Sequence, residues 1–260
     1  MLRKSVVIAA LCIASSAAMA GVAEGINAYA EGNYALAFQE FREAAWQGDQ
    51  VTQFYLGLMY STGQGVVKDE KEAAAWYEKS ARQGYAGAQA NLGNLYYLGA
   101  GVPRDYATAA FWYRAAAKQG LAQAQYSLGL AYAMGRGVDQ DLKEAANWYR
   151  KAAEQGDSSA QHNLGTLYFE GKGVGLDHKE AAVWFERAAQ QGYLPSQFNI
   201  ATLYYAGDGV AADPIQAYKW ISLAAQAGDE ASRSYQKFLE SQMTSAQIER
   251  GKSLAAEWKK

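Results

Sequence analysis

Trp76, Trp112, Trp148, Trp184 and Trp220 stand 36 residues apart, and the residues around them keep the same step. Each tryptophan is followed by Tyr77, Tyr113, Tyr149, Phe185 or Ile221 and closed by Gly84, Gly120, Gly156, Gly192 or Gly228. Leu56-Gly57, Leu92-Gly93, Leu128-Gly129 and Leu164-Gly165 hold the same register, with Ile200-Ala201 in fifth place. So do the glycine pairs from Gly63/Gly65 to Gly207/Gly209. Five 36-residue units therefore fill 50–229 without insertion or deletion. Such a period marks an array whose units cannot bury their faces alone and close a shared core by stacking.

One unit reads as a helical hairpin. Ala88, Leu92, Leu95 and Tyr96 recur at helical spacing and predict a first helix, A. Gly93 lets a neighbour approach closely, Gly99 and Gly101 make the turn, and Val102 plugs that turn into the core. Asp69, Asp105, Asp141, Asp177 and Asp213 each stand where a second helix, B, begins, as N-caps. Glu72, Glu144 and Glu180 add a capping-box spacing. A string of metal carboxylates is the other reading of these aspartates, but capping accounts for all five. On helix B the tryptophan fills the space between hairpins, and the aromatic after it faces helix A or the next unit. The expected fold is all-α, an α-solenoid of stacked antiparallel αα-hairpins.

The ends differ from the repeat, as a finite array requires. Residues 21–49 read as a degenerate hairpin around Gly25, Tyr34 and Phe41, and 230–260 as capping helices. There Tyr235, Phe238 and Leu239 point inward, and Thr244-x-x-Gln247 offers a capping box before a helix ending near Trp258. The first 20 residues combine Arg3 and Lys4, a short apolar core and an Ala-Met-Ala site, a signal peptide cut after Ala20. Export to the periplasm or the medium follows. Cys12 leaves with that segment, so the mature chain expects no disulfide. Its charge is −4, with 22 basic and 26 acidic residues left after Arg3 and Lys4 depart. Without a basic stripe, neither nucleic acid nor an anionic membrane is an expected partner, and no membrane insertion of the mature chain is expected.

The run A-x3-LG-x-LY-x2-G-x-GV-x2-D-x3-A-x2-WY-x3-A-x2-G, met from Ala88 to Gly120, resembles the Sel1-like repeat, a relative of the tetratricopeptide repeat. The resemblance implies a right-handed superhelix whose concave groove, lined by the A helices, holds other proteins. Exported bacterial members are associated with envelope assembly, exopolysaccharide control, flagellar motors and host contact. The implied partner is another protein, an envelope or sensor component. Counting from the Leu-Gly pair, the groove candidates are Phe54, Leu58, Tyr97, Tyr126, His162, Phe169, Phe198 and Tyr205. They describe an aromatic, nearly uncharged surface suited to an extended peptide. The alternative is that these side chains pack between adjacent A helices and never meet solvent.

No catalytic constellation emerges. His162 on helix A and His178 at the start of helix B match no metal spacing, and there is no phosphate loop, nucleophile elbow or mature cysteine nucleophile. His162 reads as a groove residue and His178 as a solvated helix start. No cofactor and no metal are expected. The competing function is an envelope enzyme or a binder of cell-wall fragments or β-lactams. A cysteine-rich branch of the resembled family binds penicillins, and this mature chain lacks those cysteines.

Overall fold

A computed structural model describes residues 21–258. The segment assigned to a signal peptide lies outside the described residues. The described chain is helical throughout and contains no strand. Its helices are α1 (21–30), α2 (Tyr34–Trp46), α3 (Gln50–Thr62), α4 (Glu70–Arg82), α5 (Ala86–Leu98), α6 (Tyr106–Lys118), α7 (Ala122–Met134), α8 (Leu142–Glu154), α9 (Ser158–Glu170), α10 (His178–Gln190), α11 (Leu194–Ala206), α12 (Pro214–Gln226), α13 (Glu230–Gln242) and α14 (Ser245–Glu257). None of them is long and apolar enough to cross a membrane. The chain forms two compact units, one of Met1–Ala124 with Arg136–Val138, the other of Gln125–Gly135 with Asp139–Lys260.

Within each unit successive helices pack in chain order, A on B and B on the next A, which is α-solenoid packing. The side chain of each repeat aspartate accepts from the amides that open helix B. The capping boxes expected at Glu72, Glu144 and Glu180 form only their aspartate half. The reciprocal N–H is already taken, because Asp69, Asp141 and Asp177 donate their amides to the carbonyls of Tyr60, Tyr132 and Tyr168 at 2.9–3.0 Å. The box at Thr244 and Gln247 is complete.

The glycine of the Leu-Gly pair makes room for a ring rather than for a backbone. A Cβ at Gly57, Gly93, Gly129 or Gly165 would lie 2.6–2.9 Å from the ring of Tyr77, Tyr113, Tyr149 or Phe185 on the paired B helix. Gly25 against Phe41 and Gly251 against Tyr218 repeat the device at the two ends. The second glycine of each turn has positive φ and sits on the carbonyl that opens the preceding B helix. At Gly209 a Cβ would fall 2.2 Å from the carbonyl oxygen of His178. The tryptophans reach back one unit: Trp76 belongs to the core of Phe41 and Leu56, and Trp184 to that of Tyr149 and Leu164. In the C-terminal hairpin region Leu239 is buried and Tyr235 half-buried. Phe238, expected inside, is 44% exposed, because it packs at the rim against Tyr205 and Tyr235 rather than in the core.

A second ladder is polar. Gln53, Gln89, Gln125, Gln161 and Gln197 are buried on successive A helices. The amide of Gln161 donates to Ala153 O at 3.0 Å, and its Oε1 accepts from Gln191 at 2.8 Å. Gln53 with Gln83 and Gln89 with Gln119 repeat this, so these three carboxamides tie their own helix to both flanking B helices.

Candidate functional site

The unit Gln125–Gly135 with Asp139–Lys260 brings two of the sequence candidates into one cleft. His162 and Thr166 of α9, Leu194, Pro195, Phe198 and Asn199 of α11, and Asp229 and Ala231 at the start of α13 line an open space of about 580 Å³. These are successive A-type helices. At the N-terminal turns of α11 and α13 the side chains that border the cleft, Pro195 and Ala231, are cyclic or small, and Phe198 and His162 line it with them. Its walls are largely apolar, with a few convergent polar groups, the usual composition of a ligand site.

His162 is half-buried, tilted on the rings of Phe185 and Tyr193 with centroids 5.6 and 5.2 Å away. Its Nδ1 lies 2.9 Å from Ser196 Oγ. Burial without a compensating carboxylate holds its pKa below the ordinary 6.5, so the ring is neutral at pH 7. Thr166 is turned back on the helix, donating to His162 O at 3.1 Å. Asp229 caps α13 by accepting from Ser232 N at 2.7 Å.

Asn199 is the polar group that the local sequence leaves uncommitted. In earlier repeats the tyrosine after each tryptophan finds an asparagine: Tyr77 meets Asn91, Tyr149 meets Asn163, and Tyr113 donates to Asn94 at 2.8 Å. Asn199 stands 36 residues beyond Asn163, but the residue it should meet is Phe185, which has no hydroxyl. Its carboxamide makes no hydrogen bond to any described side chain. It faces the large cleft and also a small void of about 70 Å³ lined by Phe169, Phe185, Thr202 and Leu203. That void borders both Phe185 and Asn199, and it is roomy enough for a water molecule.

Phe169 therefore lines the void rather than the cleft, and it is 40% exposed. It is held by His178, whose ring stacks on it at 4.7 Å. His178 is not the solvated helix start its position suggested. Its Nδ1 is 2.6 Å from Asp208 Oδ1 and its Nε2 3.2 Å from Phe169 O, because the turn of the following repeat folds over it. Phe198 also leans on Tyr235, and Tyr205 on Tyr235 and Phe238, at 5.5–6.4 Å.

The other candidates sit elsewhere. Tyr126 is half-buried against Tyr149, and burial raises its pKa. In the first unit Phe54 is wedged among Tyr55, Tyr77 and Tyr85, and Leu58 packs on the same core. Tyr97 is clasped by Tyr106 and by Arg136, whose guanidinium donates to its hydroxyl. For Phe54, Leu58 and Tyr126 the packing between helices is thus a large part of their role. Sequence reasoning passed over Asn199, although the change from tyrosine to Phe185 at a fixed period was a legible signal. Among the described residues no group of three or more histidines, cysteines or carboxylates is placed to hold a metal ion.

The comparisons with known proteins agree with this architecture. The Sel1 repeat model matches residues 51–85, 86–121, 122–157, 158–193 and 194–229. The crystal structure of c5321, a protective antigen present in uropathogenic Escherichia coli strains displaying an SLR fold, is 34% identical with a TM-score of 0.85. The match covers 94% of this chain and 54% of that one, so the chain spans about half the length of c5321. A Sel1 repeat protein from Oxalobacter formigenes is 33% identical with a TM-score of 0.77, over 82% of this chain and 88% of that one. No curated protein matches the chain. Repeat by repeat, in the residues that close its helices and in the way the helices stack, this chain belongs to the Sel1 repeat family, whose members are typically protein–protein interaction scaffolds.

Proposed function

We propose that this chain is a non-catalytic interaction scaffold of the bacterial periplasm or exterior, and that the cleft of α9, α11 and α13 receives an extended segment of a partner protein. The uncommitted carboxamide of Asn199 carries the reading. A carboxamide offers a donor and an acceptor side by side, which is what a peptide amide presents in return. Leu194, Pro195 and Phe198 supply the apolar contacts around it. Asn199 is half-buried and bound by no described side chain, so a peptide amide can meet its carboxamide without breaking a hydrogen bond of the fold. The leader-like residues 1–20 support export.

Phe185→Tyr tests the cleft with little damage to the fold, because it gives Asn199 the hydroxyl that the earlier repeats provide. In a crosslinking pull-down from the envelope fraction, wild type captures a specific protein that Phe185→Tyr and Asn199→Ala lose, with helicity unchanged by circular dichroism. Equal capture by all three would remove the cleft from the binding surface. N-terminal sequencing of the exported protein is expected to begin at Gly21, and an intact Met1 in the cytoplasmic fraction would end the export reading.

A further inference from the structure

Four of the five repeat tryptophans carry a cation of their own chain on the indole face. Lys79 lies 3.8 Å from the centroid of Trp76, Lys151 4.1 Å from Trp148, Arg187 4.5 Å from Trp184 and Lys219 4.2 Å from Trp220. In three of these the cation stands three residues after the tryptophan, one helical turn above it. At Trp112 that position is Ala115, and no described cation lies over the ring. Trp112 is half-buried, and its neighbour Phe111, 59% exposed, meets it edge-on at 5.0 Å.

The charged positions around this tryptophan are exchanged as well. Arg42 and Glu72 line the cavity beside Trp76, and the 36-residue step carries them onto Glu78 and Thr108. Trp46 becomes Arg82 by the same step, and Glu78 is paired with Arg82 at 2.6 Å, so the local charge stays balanced and Trp112 still has no cation of its own. An exposed indole face attracts an ammonium or guanidinium through the ring quadrupole. The other repeats show which chemistry fills this position in this fold.

We infer that Trp112 and Phe111 on α6 form a docking point for a lysine or arginine side chain from a basic segment of a partner protein, supplied in trans where the other repeats supply it in cis. It lies on a B helix, in the other compact unit from the cleft, and stands or falls without it.

The test uses tetralysine as the probe for full-length protein, with binding followed by the Trp112 indole resonance. Wild type binds tetralysine, and the fully Nζ-acetylated peptide, which keeps the stems and loses the charge, does not. Ala115→Lys restores the cation in cis and weakens binding by about 3- to 30-fold, the worth of one such contact. Asn147→Lys, with the same net charge but on α8, binds like wild type. The inference is overturned if wild type shows no binding, if the acetylated peptide binds equally, or if Ala115→Lys and Asn147→Lys behave alike.

Discussion

The fourth and fifth repeats follow one pattern, yet they close it differently. In the fourth, Gly165 receives the ring of Phe185, and buried Gln161 is satisfied on both sides, by Ala153 O and by Gln191. In the fifth, Ala201 faces the smaller Ile221, so an added methyl is matched by a lost ring. Gln197 still donates to Ala189 O at 3.2 Å, but Ala227 stands where Gln191 would, and its buried Oε1 has no partner. Arg233 of α13 takes over the next place in the ladder through Ala225 O. The apolar device of the repeat can be repacked at the end of an array because shape is adjustable from both sides. The polar device cannot, because a carboxamide needs a named partner at a fixed distance.

That comparison can be broken at the glycine first. Gly165→Ala puts a methyl 2.9 Å from the Phe185 ring, and the expected cost is about 2 kcal/mol. Adding Phe185→Ile, the solution of the fifth repeat, should return about 1 kcal/mol in a double-mutant cycle read by urea denaturation. Additive effects would mean that the ring is not what the glycine accommodates.

A smaller effect of opposite sign is expected at the end of the ladder. Ala227→Gln gives Gln197 Oε1 its missing donor and should stabilise the protein by about 1 kcal/mol, raising Tm by about 2–4 °C. An unchanged Tm would show that water already serves that oxygen.

The smallest effect concerns pH. The His162 ring takes up a proton near its ordinary 6.5 when unfolded and at lower pH when folded, because burial penalises the charged form. The unfolded state therefore binds more protons as pH falls below that value. The contribution of the neutral ring is fully present above it and is lost as pH drops toward the folded pKa. His162→Phe should flatten the stability profile below the ordinary histidine pKa of 6.5 relative to wild type. An identical slope in the variant would place that titration elsewhere.

The repeat aspartates were legible as N-caps because an N-cap is local: the side chain and the amides it meets lie within three residues. The reciprocal glutamates misled for the same reason, since the competing tyrosine carbonyl lies nine residues upstream, across the turn. The glutamine ladder was equally periodic, but its bonds join residues 30 apart, and nothing in a single unit distinguishes a buried glutamine from a solvated one. At the cleft, the A-helix rows put His162 and Phe198 on one surface, and both line the same space. They did not separate these from Phe54 and Tyr126, which are equally half-buried, because the space beside a side chain depends on what the next helix carries. Tyr85 packs on Phe54 as Tyr193 packs on His162, but only beside His162 and Phe198 do Pro195 and Ala231 border an open cleft.

The sequence by itself determined the number of repeats, the two-helix unit, the caps of helix B and the turns that need glycine, since each follows from period, local hydrogen bonding or allowed backbone angles. Only the tertiary structure decided that the repeat tryptophans carry cations on their faces, that Asn199 borders a cleft and that the buried carboxamide of Gln197 ends without a donor. The last two are properties of neighbours one repeat away, and they arise where a single substitution breaks a pattern that stacking alone makes visible.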